Sequence, residues 1–189
     1  MKRIALVLVC AAFAASAAEV AGVKFAETLD AAPGQALVLN GAGLRKRAFF
    51  EVYAMGLYVT QKKADAAELI ALGGQKRVVI RMLRDVGAGQ FTEALVEGMK
   101  DNHGEAEFKA FEGRVQQLSS IMAQVGEAKK GMQVGLEWNP ASGMRVTIDG
   151  KPAGGVIAGE DFFRALLRVW LGEKPVSADL KAGLLGKTQ

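Results

Sequence analysis

Arginines and tyrosines are the side chains of this 189-residue chain best placed to do chemistry. Arg45, Lys46 and Arg47 stand just ahead of a segment rich in aromatic and β-branched residues that holds Tyr53 and Tyr58. Arg81 and Arg84 lie on or beside the next segment of that kind. An even number of residues separates Arg45 from Tyr53, so a regular strand turns both side chains to one face. A guanidinium fork and a phenol converging above an apolar sheet suit a small apolar ligand carrying a carboxylate or an enolate. The same residues also fit a plainer account, a solvated Arg-Lys-Arg turn and core tyrosines with satisfied hydroxyls. Composition by itself favours the plainer account.

Other constellations are missing. His103 is the only histidine and sits in Asp101-Asn102-His103-Gly104, where it reads as a solvated loop residue and not as a base. No serine lies in a Gly-x-Ser-x-Gly elbow, so a Ser-His-Asp site has neither its elbow nor a placed base. The only cysteine, Cys10, falls in an N-terminal leader, which leaves the mature chain no thiolate, disulfide or Cys-bound metal. Neither a transition-metal set nor a calcium loop is spelled out, and no metal or cofactor is expected. The glycines of Gly41-Ala42-Gly43 do not precede a helix, which weakens any phosphate-loop reading. Asp85, Glu93, Glu97 and Asp101 are spaced as a solvated helix face.

The leader comprises Met1-Lys2-Arg3, an apolar run from Ile4 to Ala14, and the small residues Ala15-Ser16-Ala17 before a cleavage point. That run is shorter than the ~20 residues a bilayer core demands. Val7-Leu8-Val9 lacks the small residue a lipoprotein site wants before Cys10. Residues 1–17 are therefore expected to be a cleaved signal peptide, residues 18–189 one domain, and the location periplasmic. No later stretch reaches transmembrane length. Loss of Lys2 and Arg3 lowers the net charge of +4 by two, too mild an excess for a nucleic-acid partner.

The elements that must hold these residues follow from periodicity. Val20 to Ala26 and Ala36 to Asn40 read as strands around a turn at Asp30-Ala31-Ala32-Pro33-Gly34, the second strand ending at Gly41-Ala42-Gly43. Phe49 to Thr60 is apolar on both parities, as a central strand buried on two faces must be. A short helix from Ala64 to Leu72 and a strand from Lys76 to Leu83 come next. Gln90 to Asn102 and Glu105 to Gly126 show the three-and-four spacing of half-buried helices. A meander follows over Met132 to Trp138, Met144 to Ile148 and Lys151 to Val156, with Asp149-Gly150 as a hairpin turn. Helices from Glu160 to Leu171 and Ser177 to Leu185 close the chain, the latter with Ser177 as N-cap. This order predicts an α+β domain, an antiparallel sheet with helices on one face and a ligand groove between the layers. Trp170-Leu171 and Leu184-Leu185 belong to the core and not to an exposed docking patch.

Two stretches, Leu39-Asn40-Gly41-Ala42-Gly43-Leu44-Arg45 and Phe49-Phe50-Glu51-Val52-Tyr53-Ala54-Met55-Gly56-Leu57-Tyr58-Val59, resemble the signature of the chalcone isomerase-like family, in its bacterial exported branch. Leu83-Arg84-Asp85-Val86 leading into Gln90-Phe91 agrees with that branch. So do the final helix from Phe162 to Gly172 and Pro175-Val176-Ser177-Ala178-Asp179-Leu180-Lys181. The resemblance implies an open-faced β-sandwich, a large antiparallel sheet backed by a layer of helices with the ligand cleft between them. It implies either closure of a chalcone by an intramolecular lyase or non-catalytic binding of fatty acids through an arginine and a tyrosine. Arg45 matches the family's arginine. Tyr53 stands where the enzymes have threonine and the binders tyrosine, Phe91 where the enzymes have tyrosine, and Gly98 where they have asparagine.

Phe91 has no hydroxyl and Gly98 no side chain, so the polar set of the enzymes is incomplete. The expectation is a periplasmic, non-catalytic binder of a small apolar or anionic ligand, a fatty-acid-like carboxylate, held by Arg45, Tyr53 and Phe91. The alternative is an isomerase acting on a chalcone-like or smaller phenolic enone.

Overall fold

The computed structural model describes residues 18–32 and 35–187. The expected leader with Cys10, and the Pro33-Gly34 part of the first turn, lie outside the described residues. A small hairpin of β1 (Ala18–Val20) and β2 (Val23–Phe25) precedes β3 (Thr28–Ala32), β4 (Gln35–Arg47) and β5 (Phe50–Val59). Helix α1 (Ala66–Ala71), β6 (Lys76–Met82) and β7 (Val86–Gly87) lead into two long helices, α2 (Ala88–Asp101) and α3 (Glu105–Val125). The chain continues through β8 (Glu127–Ala128), β9 (Gln133–Asn139), β10 (Gly143–Ile148) and β11 (Lys151–Ile157). It ends in α4 (Glu160–Leu171) and α5 (Ala178–Leu184). Seven strands make one sheet in the order β11-β10-β9-β6-β5-β4-β3, with every neighbour antiparallel. No helix among the described residues is long and apolar enough to cross a membrane.

The central strand β5 shows why both parities are apolar. Tyr53, Met55, Leu57 and Val59 join the main core beneath the helices, together with Val78, Ile80, Leu136 and Val146 from neighbouring strands. Ala54 and Tyr58 face the other way, into a second cluster with Phe25, Leu37 and Leu39. The β1–β2 hairpin supplies Phe25 and lids that second face. A Cβ at Gly56 would stand 2.7 Å from the Phe25 ring, so only glycine lets the hairpin lie this close. Helix α4 buries Phe162, Phe163, Leu166, Leu167, Val169 and Trp170 against the sheet, and Leu180 and Leu184 of α5 are fully buried. Trp170-Leu171 and Leu184-Leu185 are thus core.

Three expected elements differ. Val20 to Ala26 is not one strand but a hairpin, because Ala21 and Gly22 both take positive φ (50° and 78°) and reverse the chain. Asp30 to Ala32, read as a turn, continue edge strand β3. Most consequentially, β4 does not stop at Gly41-Ala42-Gly43. It runs on to Arg47, and helix α5 packs directly on those glycines. A Cβ at Gly41 would collide with the Gly183 carbonyl oxygen, and one at Gly43 would meet Leu180 Cδ1 at 2.9 Å. The glycines mark close approach of a helix to a strand, not chain reversal. A bulge at Asn40 completes this junction. Its buried amide donates to the Leu184 carbonyl at 2.7 Å and the Lys63 carbonyl at 3.0 Å, and accepts from Lys63 N–H at 2.7 Å.

Candidate ligand-binding site

Beyond Arg47 the chain reverses in a two-residue turn, Ala48-Phe49, so Arg45 and Tyr53 lie on different strands of a hairpin. Arg47 pairs with Phe50 and Lys46 with Glu51. Continued regularly, that register would place Arg45 opposite Val52 and turn Tyr53 to the far face. A bulge at Val52 intervenes, and Arg45 becomes the cross-strand partner of Tyr53. The two side chains do share a face, but through a bulged hairpin and not through the parity of one strand.

That face forms one wall of a cleft of about 960 Å³. Arg45, Arg47, Val52 and Tyr53 line it from the hairpin, and Arg84 from the segment that follows β6. The opposite wall is α2 with Phe91, Leu95 and Gly98, closed below by Val169 of α4 and Val176. The structure brings Arg45, Tyr53 and Phe91 together. The Tyr53 and Phe91 rings meet edge to face at 6.2 Å between centroids.

Tyr53 is buried, and Trp170 Nε1–H donates to its hydroxyl oxygen at 2.9 Å. Burial pushes its pKa up to about 12, against the opposing pulls of the Trp170 hydrogen bond and the Arg45 charge. The phenol is therefore neutral at physiological pH and offers a proton to an acceptor in the cleft. Arg45 is half-buried and donates to the Lys46 carbonyl. Among the described residues it forms no ion pair. A half-desolvated, unpaired guanidinium beside an apolar wall is a receptor for an anionic head group.

The remaining arginines and tyrosines divide by sheet face. Tyr58, Arg77 and Arg81 lie on the opposite face, lining a separate hollow under the first hairpin. Arg81 is spent there on the Gly131 carbonyl and Gln133 Oε1, each at 2.8 Å. Arg84 stays on the cleft side, its guanidinium 4.5 Å above the Phe50 ring. Glu93, Glu97 and Asp101 are exposed, as expected of a solvated helix face, but that face is the far rim of the cleft. His103 lies in the loop between α2 and α3, as expected, but is only partly solvated. It is half-buried, bonded through Nδ1 to the Met99 carbonyl at 2.7 Å and edge-on to Phe111, so it closes the end of α2.

Gly98 faces the cleft floor, and a Cβ there would lie 2.8 Å from Val169 Cγ1. The helix crossing α2–α4 is thus packed too tightly for an asparagine at that position without displacement. Reading residues singly missed Trp170 as the partner of the Tyr53 hydroxyl. A signal existed: a buried tryptophan needs an acceptor for its N–H, and acceptors on apolar strands are few.

The family model described as chalcone isomerase-like matches residues 17–186 of the chain. No curated protein matches. Among solved structures the fold is similar to the crystal structure of a fatty-acid binding protein from Arabidopsis thaliana, with a TM-score of 0.66 and 17% identity. That match covers 87% of this chain and 92% of the plant chain. At this identity the likeness is one of fold: a large antiparallel sheet with helices, mixed α and β.

Proposed function

Because the chain belongs to the chalcone isomerase-like family, we propose that it is an exported, periplasmic protein that binds a small apolar carboxylate of fatty-acid type, without catalysis. The ligand's carboxylate takes the Arg45 guanidinium and the Tyr53 hydroxyl, and its apolar body runs along Phe91, Leu95, Val169 and Val176. The observation that carries this is the unpaired Arg45 facing neutral Tyr53 at the head of an apolar cleft. The fatty-acid binding of the structurally similar plant protein supports the same reading.

Isomerisation of an enone would ask more of the cleft. A catalyst must stabilise charge that develops on the reacting oxygen, and a lost donor costs about 3 kcal/mol in such sites. Phe91 provides no donor, and Gly98 has no room for a polar side chain. Arg45 and Tyr53 alone are sufficient to hold a carboxylate.

Mass spectrometry of gently extracted protein is expected to find copurified fatty acid in the native chain and none in Arg45→Ala. Equal lipid in both would overturn the reading. The same spectra report the mature mass, expected to begin at Ala18 or Glu19.

A further inference from the structure

The lip of the cleft carries a feature that ligand binding does not require. Phe49 and Phe50 sit side by side at the tip of the β4–β5 hairpin, 98% and 59% exposed. The only other exposed large apolar side chain among the described residues is Val156, on β11 at the opposite edge of the sheet. Exposing two adjacent phenylalanines to water is unfavourable, and only Phe50 is partly covered, by the Arg84 guanidinium. Ala48 holds a left-handed φ of 53°, which reverses the chain in two residues and projects the tip outward.

The tip is ringed by cations. Lys46 and Arg47 are exposed at its base, Arg45 stands one step behind, and Arg84 lies against Phe50. The nearest acid on the hairpin is Glu51, paired across the ladder with Lys46. The acids of the cleft, Glu93, Glu97 and Asp101, lie on α2 across the mouth. Asp85 also lines the cleft, just before α2 rather than on it, but its carboxylate is engaged by Lys130 N–H at 2.7 Å and by the Lys129 ammonium. The hairpin rim is therefore cationic with an aromatic point, and the opposite rim is acidic.

We propose that this hairpin is a membrane anchor: Phe49 and Phe50 insert at the surface of an anionic phospholipid bilayer while Lys46, Arg47 and Arg84 engage its phosphates. Aromatic side chains partition to the interface, and each nearby Lys or Arg adds roughly a fivefold gain on an anionic surface. The geometry favours a bilayer over a protein. A stable protein interface needs about 800 Å² per partner, and one phenylalanine on the turn with a second at the start of β5 offers a wedge without a surrounding apolar patch. A wedge flanked by cations is what a surface of anionic head groups accepts. Arg45, Arg47 and Phe50 also line the cleft, so insertion of the tip sets the cleft mouth at head-group level. Docking stands without the carboxylate reading; loading of the cleft from the bilayer rests on it.

The test is flotation of the mature protein with vesicles of phosphatidylglycerol and phosphatidylethanolamine, against vesicles of phosphatidylcholine. The native protein is expected to float with the anionic vesicles only, and less in high salt, since charge is screened beyond ~10 Å at 0.1 M. Phe49→Ser/Lys46→Gln alters two exposed residues outside the cleft and is expected to bind anionic vesicles at least tenfold more weakly while retaining copurified lipid. Arg45→Ala should show the converse, floating normally without lipid. No flotation of the native protein, or equal flotation of Phe49→Ser/Lys46→Gln, would overturn the anchor. A dimer that forms through this tip without vesicles, seen by light scattering and lost in the same variant, would overturn it too.

Discussion

Tyr53 illustrates how one side chain serves both core and cleft. Its ring is held by Phe91 and its oxygen by Trp170, so only the hydroxyl proton is left for a ligand. Tyr53→Phe removes the acceptor and strands a buried indole N–H, which costs about 1–3 kcal/mol. The melting temperature is expected to fall by roughly 2–4 °C per kcal/mol for a chain of this length. Calorimetry checks this, and an unchanged Tm would show that the indole finds another partner. Ligand content should fall less than in Arg45→Ala, since the charge on the head group keeps its guanidinium. Arg45 itself was visible from the Gly-x-Gly-x-Arg spacing. Its partner was also nameable, but the Val52 bulge that makes the two face each other was not, because nothing local distinguishes a bulged valine from a regular one.

At the scale of elements, the junction of β4 with α5 holds one end of the sheet to the helical layer. Asn40, displaced by its bulge, satisfies the α5 end at Leu184, and Gly41 and Gly43 let the helix backbone reach the strand. Gly41→Ala forces a methyl group into the Gly183 carbonyl, where the rigid backbone of both elements must move. Overpacking of this kind costs about 3 kcal/mol or more. Urea denaturation should show a lowered midpoint and early loss of protection at α5 amides, and full native stability would contradict the close approach. Helices α2, α3 and α4 and strands β5, β6, β9 and β10 were legible from periodicity to within a few residues. Glycines were misread because sequence cannot tell a glycine that bends its own chain from one that makes room for a distant segment.

At the scale of the whole molecule, three buried titratable groups predict how stability follows pH. Lys76 on β6 has a fully buried ammonium that caps the Leu72 carbonyl after α1 and lies 3.9 Å from Glu160 of α4. Burial lowers its pKa to about 8, with Glu160 opposing and Arg164 reinforcing the shift. The folded state therefore holds fewer protons than the unfolded one above pH 8, and stability rises with pH from there to about 10. Tyr53 and Tyr58, on opposite faces of β5, both have phenols raised to about 12, chiefly by burial. Their contribution is intact below the ordinary phenol value and is lost as pH climbs from about 10 to 12. Stability is expected to peak near pH 10. Lys76→Met, compared with the native chain from pH 7 to 10, isolates the lysine: the native chain should gain on the order of 2 kcal/mol relative to the variant as pH rises. A difference independent of pH would mean that the ammonium is better solvated than its burial implies.

Periodicity and composition by themselves determined that this chain makes an antiparallel sheet with helices on one face, because amphipathic spacing records which side of each element is buried. Short-range motifs determined the family resemblance and the arginine at the head of its cleft. What only the tertiary structure decided depends on contacts between segments far apart in sequence. The bulges at Asn40 and Val52, the passage of β4 beneath α5, the sorting of arginines onto two faces and the Trp170–Tyr53 hydrogen bond are all of that kind. Each is settled by packing and hydrogen-bond satisfaction across the fold, which the local pattern of residues does not specify.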